Sequence, residues 1–414
     1  MVDEVDAGRS RHERAAVRRA AATWSALVEP GDLTAGALLL AVGPVAALAW
    51  LRAALDHGDR ARAVARLRER LADPPDALSA RRLLAALDRW GPRVGRLDTS
   101  RDARALRSLG GRVLVRGDEG WPAGLDDLGA AAPACLWVRG DPGVLDGAAA
   151  VAVVGARAAT GYGTSVAADL ACGLADRGRV VVSGGAYGID AAAHRGALAG
   201  RGPTVAIMAG GVDRLYPAGN TDLLERVLEE GGAVVAEVPV GATPTRSRFL
   251  RRNRLIAALT RATVVVEAAW RSGSLSTAAH AAELARPVGA VPGPVTSMSS
   301  AGCHRLLREH DAVCVTSVDD VLELLPGVQV GAGPEDVGPP DPREGLGAFA
   351  RAVVDGLGPR RPSGLDELVP AVGLAPADVL GALGELELAG LVVRGPGGWS
   401  LTAAGRRPAP RRAV

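Results

Sequence analysis

Residues 151–163 read VAVVGARAATGYG: a β-branched run, Val151–Val154, delivered into a turn anchored on Gly155, then a helical pattern opening at Gly161 and Gly163. A short apolar strand feeding a glycine turn and a helix is the repeating unit of an open parallel sheet. The same grammar recurs in SGGAYGIDAAAH (Ser183–His194), GGVDRLYPAGN (Gly210–Asn220), RFLRRNRLIAALT (Arg248–Thr260), VVVEAAWRSGSLSTA (Val264–Ala278) and RPVGAVPGP (Arg286–Pro294). Strands are expected at 151–154, 180–183, 204–208, 233–238, 263–267, 288–291 and 312–315, with helices between most of them. That alternation defines an α/β fold with an extended, Rossmann-like, doubly wound parallel sheet. The turns gather backbone N–H groups and arginines on one sheet edge, with no general base, nucleophile or metal cluster beside them. Such an edge is suited to holding an anionic chain rather than cutting it.

The 414-residue chain is 48% hydrophobic with a mean hydropathy of +0.14, the profile of a globular protein of several domains. Its formal net charge is +2, and all 48 basic residues are arginines. A GC-rich genome accounts for that replacement. Its physical consequence is that every cationic contact is a guanidinium, suited to bidentate phosphate binding and base stacking. So small a net charge gives no argument for nucleic acid; local clustering has to supply it. Cys135, Cys172, Cys303 and Cys314 show no paired spacing and read as buried reduced thiols. Neither a metal nor a cofactor is expected. Met1–Ser10 is acidic and polar without an apolar segment, so no signal peptide is expected and the protein reads as cytoplasmic. The apolar run Leu38–Leu55 is interrupted by Gly43-Pro44 and Arg52, which favours a buried helical pair over a membrane span.

Residues 1–95 read as an Ala/Leu/Arg-rich helical domain, with stops at Gly31-Asp32, Gly43-Pro44, Pro74-Pro75 and Gly91-Pro92. The break at AVGP gives it a helix-hairpin-helix or SAM-like outline. Residues 96–326 comprise an approach segment, with strand-like stretches at Arg112–Val115 and Leu136–Asp141, followed by the sheet domain. A Pro/Gly-rich linker is expected at 327–343. Residues 344–402 carry three helical patterns and the hairpin LVVRGPGGWSLT, the outline of a winged helix, and 403–414 is a basic tail.

The turn GARAATGYG departs from a dinucleotide fingerprint, and the next strand ends in Ser183-Gly184-Gly185 without an acid. Nucleotide cofactors are therefore disfavoured, while Arg157, between strand and helix, can meet a phosphate at a helix N-terminus. Gly184 and Gly185 let a ligand approach the backbone. Asp190 is placed to cap the next helix, and His194, one turn on, to form a structural hydrogen bond with it. Asn220 or Thr221 caps the following helix; Arg214 offers a phosphate contact and Tyr216 a stacking ring. Aromatic residues total 3%, too few for an extended stacking platform. The densest feature is Arg246, Arg248, Arg251, Arg252 and Arg254, five arginines in nine residues, uninterrupted by an acid and placed ahead of the helix LIAALT. Ser272, Gly273 and Ser274 form a second donor-rich helix start.

In this order, VGxR…YG, SGxAxGID…AH, GxDxxYPxxN, FxxRNR and EAxxxSGSLxTA resemble the DprA/Smf family, most closely over about 150–315. The resemblance implies a Rossmann-like domain that binds single-stranded DNA, a homodimer through that domain, and loading of the RecA recombinase in natural transformation. It makes Arg157 the arginine of the DNA-contacting GxR turn, matches Arg251, Arg252, Asn253 and Arg254 to the RNR segment, and Ser272–Ser274 to SGS. Two departures stand out. Thr221-Asp222 replaces the basic residue often found after the YPxxN asparagine, leaving Arg214 or Arg246 to supply that contact. Cys303-His304 also replaces the usual asparagine-containing pattern after the PG turn.

The winged helix has no arginine from Leu365 to Leu391 but carries Asp366, Glu367, Asp378, Glu385 and Glu387. A recognition helix needs cationic or amide side chains, so this module is expected to contact protein or to act as a lid. Two competing functions are a nucleotide phosphoribohydrolase of the lysine-decarboxylase-like group and a protein-binding adaptor with a vestigial DNA pocket. The first would need a PGGxGTxxE motif, which Glu267 and Glu283 do not complete.

Overall fold

The computed structural model describes residues 11–325 and 346–402, apart from 57, 72, 96, 146–149 and 359–360. The segment Met1–Ser10, the linker at 327–343 and the tail at 403–414 lie outside the described residues. The chain divides into two compact units, Met1–Gln329 and Val330–Val414.

The larger unit opens with five helices: α1 (Arg11–Leu27), α2 (Leu33–Asp56), α3 (Arg60–Glu69), α4 (Ala80–Val94) and α5 (Thr99–Ser108). Trp24 and Trp90 meet edge to face at 5.2 Å in the middle of their shared core, which also buries Leu38, Leu48, Leu51, Leu83 and Leu87. α2 is long and apolar enough to cross a membrane by length and composition. It breaks, as the AVGP signal implies, at Gly43, whose φ of 77° only glycine adopts cheaply. The Gly91-Pro92 stop is not observed. Pro92 falls in the last turn of α4, where its missing N–H removes one hydrogen bond and the helix runs on to Val94.

The sheet follows, with β1 (Arg112–Leu114), β2 (Leu136–Gly140), β3 (Ala150–Val154), α6 (Gly161–Asp176), β4 (Val180–Gly184), α7 (Ile189–Ala199) and β5 (Thr204–Met208). It continues with α8 (Thr221–Glu229), β6 (Ala233–Ala236), α9 (Arg246–Leu259), β7 (Ala262–Val265), α10 (Ser274–Glu283), β8 (Val288–Ala290), α11 (Ala301–Glu309), β9 (Val313–Cys314) and α12 (Val318–Glu323). The strand order is β1-β2-β6-β5-β4-β3-β7-β8-β9. The strands from β6 to β9 are parallel, while β2 runs antiparallel to both β6 and β1. β3 and β5 are buried at every position, as strands covered on both faces must be.

Two cores flank the sheet. One packs Leu255, Ile256 and Leu259 of α9 with Ala278 of α10 on Ala152, Val182, Val205 and Val265. The other brings Ala21 and Ala22 of α1 and Leu106 of α5 onto Trp137, Ala206, Met208 and Val234. The N-terminal helices therefore roof the sheet directly: Trp137 donates to Ser25 Oγ at 3.0 Å, and Ser25 donates to the Glu237 carbonyl at 2.6 Å.

Strand order reverses between β3 and β7. The chain steps outward from β3 through β4, β5 and β6, then returns to β7 on the other side. Loops leaving the two central strands diverge there, which opens a crevice at their C-terminal ends.

The smaller unit contains α13 (Ala348–Gly356), α14 (Leu365–Val372), α15 (Pro376–Leu388), β10 (Val392–Gly395) and β11 (Gly398–Leu401). It is a winged helix around Val353, Val379, Leu383, Leu386 and Leu391. Asp366, Glu367, Asp378, Glu385 and Glu387 are all exposed on α14 and α15.

Candidate nucleic-acid interface

The crevice holds a cavity of about 710 Å³. Val154, Gly155 and Arg157 reach it from the end of β3, Arg271–Ser274 from beyond β7, and Tyr216 from the loop after β5. Ala186 and Asp190 reach it from beyond β4 and Ser276 and Thr277 from α10, while α9 supplies most of the remaining wall. At 3.6 residues per turn, Arg246, Phe249, Asn253 and Ile256 share one face of that helix, and all four line the cavity.

The same periodicity corrects the reading of the arginine cluster. The arginines lie within α9, not ahead of it, and their spacing distributes them around the helix. Arg248 turns towards the N-terminal helices, where Nε and Nη2 donate to Glu29 at 3.0 Å each. That pairing lowers the Glu29 pKa, the hydrogen bond from Arg248 being the largest cause. Arg251 donates to the Pro30 carbonyl. Arg254 is buried and donates to both carboxylate oxygens of Glu237 at 2.6 and 2.7 Å, and to the Ala131 carbonyl at 3.0 Å. These three arginines, expected at the phosphate site, instead fasten α9 to the rest of the unit. The acids that hold two of them lie 219 residues from Arg248, for Glu29, and 17 from Arg254, for Glu237.

Arg252 lines the cavity but is buried, donating to the Ile207 carbonyl and, at 3.2 Å, to Asn253 Oδ1. Burial pushes its pKa down to about 10, against the attraction of Asp190. Burial raises the pKa of Asp190, and Arg252 opposes that rise. A Cβ at Gly184 would strike both the Arg252 guanidinium and the Asp190 carboxylate. Gly184 thus makes room for this buried pair rather than for a ligand. A Cβ at Gly185 would press on Met208 and Tyr216, so Gly185 too serves packing.

The expected Asp190–His194 hydrogen bond is not formed. Gly188 is the N-cap of α7, and Asp190 lies inside the first turn, where Oδ2 accepts from the Ala186 N–H at 3.4 Å. His194 Nε2 donates to the Gly184 carbonyl at 2.9 Å, and Nδ1 lies 2.8 Å from Thr204 Oγ1. Complete burial pushes its pKa down to about 4. Asn220 does not cap α8 with its side chain. It donates to the Gly185 and Ala186 carbonyls at 3.0 Å and braces the turn after β4. Cys314, expected buried, is exposed on the edge strand β9.

What remains around the cavity is distinctive. Arg157, Arg246 and Arg271 are exposed and have no carboxylate partner among the described residues. The Arg157 guanidinium lies 4.3 Å above the ring of Phe249, whose centroid is 6.1 Å from that of the half-exposed Tyr216. Asn253 Nδ2 donates to the Gly273 carbonyl at 3.1 Å and to Ser276 Oγ at 3.0 Å, locking the serine turn to α9. Ser272 and Ser274 hydroxyls share a 2.7 Å hydrogen bond at the start of α10. Across the crevice, Glu267 accepts from Thr160 N at 2.9 Å and Thr160 Oγ1 at 2.6 Å, which fixes the turn after β3. Gly163 packs against that carboxylate, and Gly161 begins α6 facing open space. Arg214 and the Thr221-Asp222 pair lie outside the lining.

Arg271 and Phe249 are functional candidates that sequence reasoning passed over. Arg271 was legible as the residue directly before the serine turn. Phe249 was legible as one of only two phenylalanines, at a three-residue step from Arg246.

Comparison with known proteins agrees with this architecture. A family profile described as DNA recombination-mediator protein A matches residues 112–326, and one for the DprA winged helix domain matches 337–398. A DNA processing protein DprA of Mycobacterium tuberculosis is 49% identical over 321 residues, covering 73% of this chain and 80% of that one. The Smf protein of Escherichia coli K12 is 36% identical over 273 residues, covering 64% and 71%. The X-ray structure of DNA processing protein A from Streptococcus pneumoniae covers 77% of this chain and 98% of its own, at 27% identity and a TM-score of 0.56.

Proposed function

This chain belongs to the DprA/Smf family of DNA recombination mediators, and we propose that its crevice binds single-stranded DNA for delivery to the RecA recombinase. The observation that carries the reading is the combination of three unpaired arginines, Arg157, Arg246 and Arg271, with the Phe249–Tyr216 ring pair at the sheet's switch point. Guanidinium groups neutralise backbone phosphates, and exposed rings accept any base face. A crevice with both grips a strand without reading its sequence. RecA delivery, action in the cytoplasm and a homodimer through the sheet domain rest on the family resemblance. The role is one of binding and hand-over, with no bond made or broken.

The phosphoribohydrolase reading is weakened by where its glutamates are committed. Glu267 is buried under Thr160, and Glu283 is on the surface of α10, 3.0 Å from His280 Nδ1. For the winged helix, the exposed carboxylates of α14 and α15 argue for a protein contact, since they would repel a phosphate backbone.

The test is fluorescence anisotropy with labelled single-stranded and duplex oligonucleotides over a salt series, comparing the protein with an Arg157→Ala/Arg246→Ala variant. Preference for single strands, with a steep salt slope that the variant flattens, supports the reading. Equal binding of both oligonucleotides by both proteins would overturn it.

A further inference from the structure

A second arginine-lined groove lies elsewhere on the larger unit. It has a volume of about 780 Å³ and is framed by α1, α5 and β1. Arg14 and Arg18 stand one turn apart on α1, and Arg104 and Arg107 stand one turn apart on α5, so each helix presents a two-arginine stripe to the groove. Arg19 and Arg112 complete the lining, and all six are exposed. Against them stand two carboxylates, Asp118 and Glu119. Asp118 is already bound by Arg18, whose Nε and Nη2 donate to it at 3.0 and 2.8 Å. The other five arginines have no ion-pair partner among the described residues.

Five unpaired guanidinium groups around one concavity repel one another, and a polyanion relieves that repulsion. The groove's arginines come from three separate elements, α1, α5 and β1, and five of them are unpaired. Those features fit a chain of phosphates better than a single anion.

Its position bears on the crevice. α1 runs from this groove towards the Glu29–Arg248 pair beside α9, and the nine steps from Arg18 to Leu27 span about 14 Å. α5 in turn packs with the loop after β5: Leu106 shares one hydrophobic core with Val212 and Leu215 of that loop. Asp213 precedes the exposed Arg214, and Tyr216 of the same loop lines the crevice. Arg214, which has no place in the crevice wall, thus stands on the segment that joins the two cationic sites.

We propose that the α1–α5–β1 groove is a second binding site for the phosphodiester backbone of nucleic acid, which takes up the part of a long strand that extends beyond the crevice past Arg214. Naming the polyanion as nucleic acid rests on the function proposed above; the groove's own geometry does not.

The experiment measures the binding of a short and a several-fold longer oligothymidylate over a salt series to four full-length proteins. They are the wild type, Arg104→Ser/Arg107→Ser, Arg157→Ala/Arg246→Ala, and the four combined. Both groove residues are exposed, so the unfolding temperature should not move. The groove variant is expected to bind the short strand as wild type does. On the long strand its logarithmic salt slope should fall by about 1.4, the loss of two single-strand phosphate contacts. A long-strand slope equal to wild type overturns the second site. If instead the crevice variant alone behaves as wild type, the crevice assignment fails while the groove variant's slope still decides the groove.

Discussion

Arg254 and Glu237 form a bidentate ion pair, 2.6 and 2.7 Å across its two hydrogen bonds, buried between α9 and the loop after β6. Removing one partner leaves the other charged, buried and alone, which costs about 3–5 kcal/mol. Arg254→Met should therefore destabilise the larger unit by that amount in a urea titration followed by tryptophan fluorescence. Arg254→Met/Glu237→Leu should recover most of the loss, because no charge is then stranded. Were Arg254 a phosphate ligand instead, the single variant would unfold normally and bind DNA weakly.

The cation–π contact between Arg157 and Phe249 gives a different signature. Phe249→Leu keeps apolar volume in the cavity wall but removes the ring. Loss of base stacking, at about 1–3 kcal/mol per base, should weaken single-strand binding by roughly fivefold to a hundredfold. The salt slope should stay unchanged, since no phosphate contact is removed. Arg157→Ala should do the reverse and lower the slope by about 0.7. A Phe249→Leu protein with wild-type affinity would show that the ring serves only to seat Arg157.

Among the clustered arginines, partners decide roles. Arg246→Ala/Arg271→Ala should lower the single-strand salt slope by about 1.4, since neither residue has a carboxylate to leave behind. Arg248→Ala should leave the slope near wild type, because its guanidinium is spent on Glu29. Equal slopes for the two variants would mean that the Glu29 pair opens when DNA binds.

His194 predicts a pH dependence. Its folded pKa, pushed down to about 4 by burial, lies below the ordinary value of 6.5. Between those values the unfolded chain takes up a proton that the folded chain refuses, so stability is complete above about pH 6.5 and falls as pH drops towards 4. The loss over that window is about 3 kcal/mol. His194→Gln should remove this slope. Comparing the two proteins isolates His194 from Asp190, whose raised pKa acts in the opposite direction. Parallel stability curves would place the protonation elsewhere.

Most of the fold was legible because its signals are local. β5 was expected at Thr204–Met208 and is found there, and the other strands differ by a residue or two at their ends. A β-branched run closed by a glycine turn needs no distant partner to be recognised. The site was legible only in part, for the opposite reason. Whether an arginine is free depends on acids that chain folding brings from far away, as Glu29 comes to Arg248. The helical phase of α9 contained half the answer, since Arg246 and Asn253 share a face that Arg248 and Arg251 do not. The other half, which faces meet carboxylates, has no local signal. Gly184 illustrates the same limit: a glycine that admits a ligand and one that admits Arg252 look alike in one dimension.

The clasps that Glu29 and Pro30 place on Arg248 and Arg251 also govern how a shortened protein would behave. A chain trimmed of α1–α5 would keep every strand of the sheet yet release two guanidinium groups beside the crevice. At the crevice itself, short polyanions would be held more tightly for reasons unrelated to the intact molecule, and short duplex, polyphosphate and heparin fragments would share in the gain. The N-terminal helices therefore act as a discriminator: by masking surplus charge, they keep the sheet edge from becoming an indiscriminate cation exchanger.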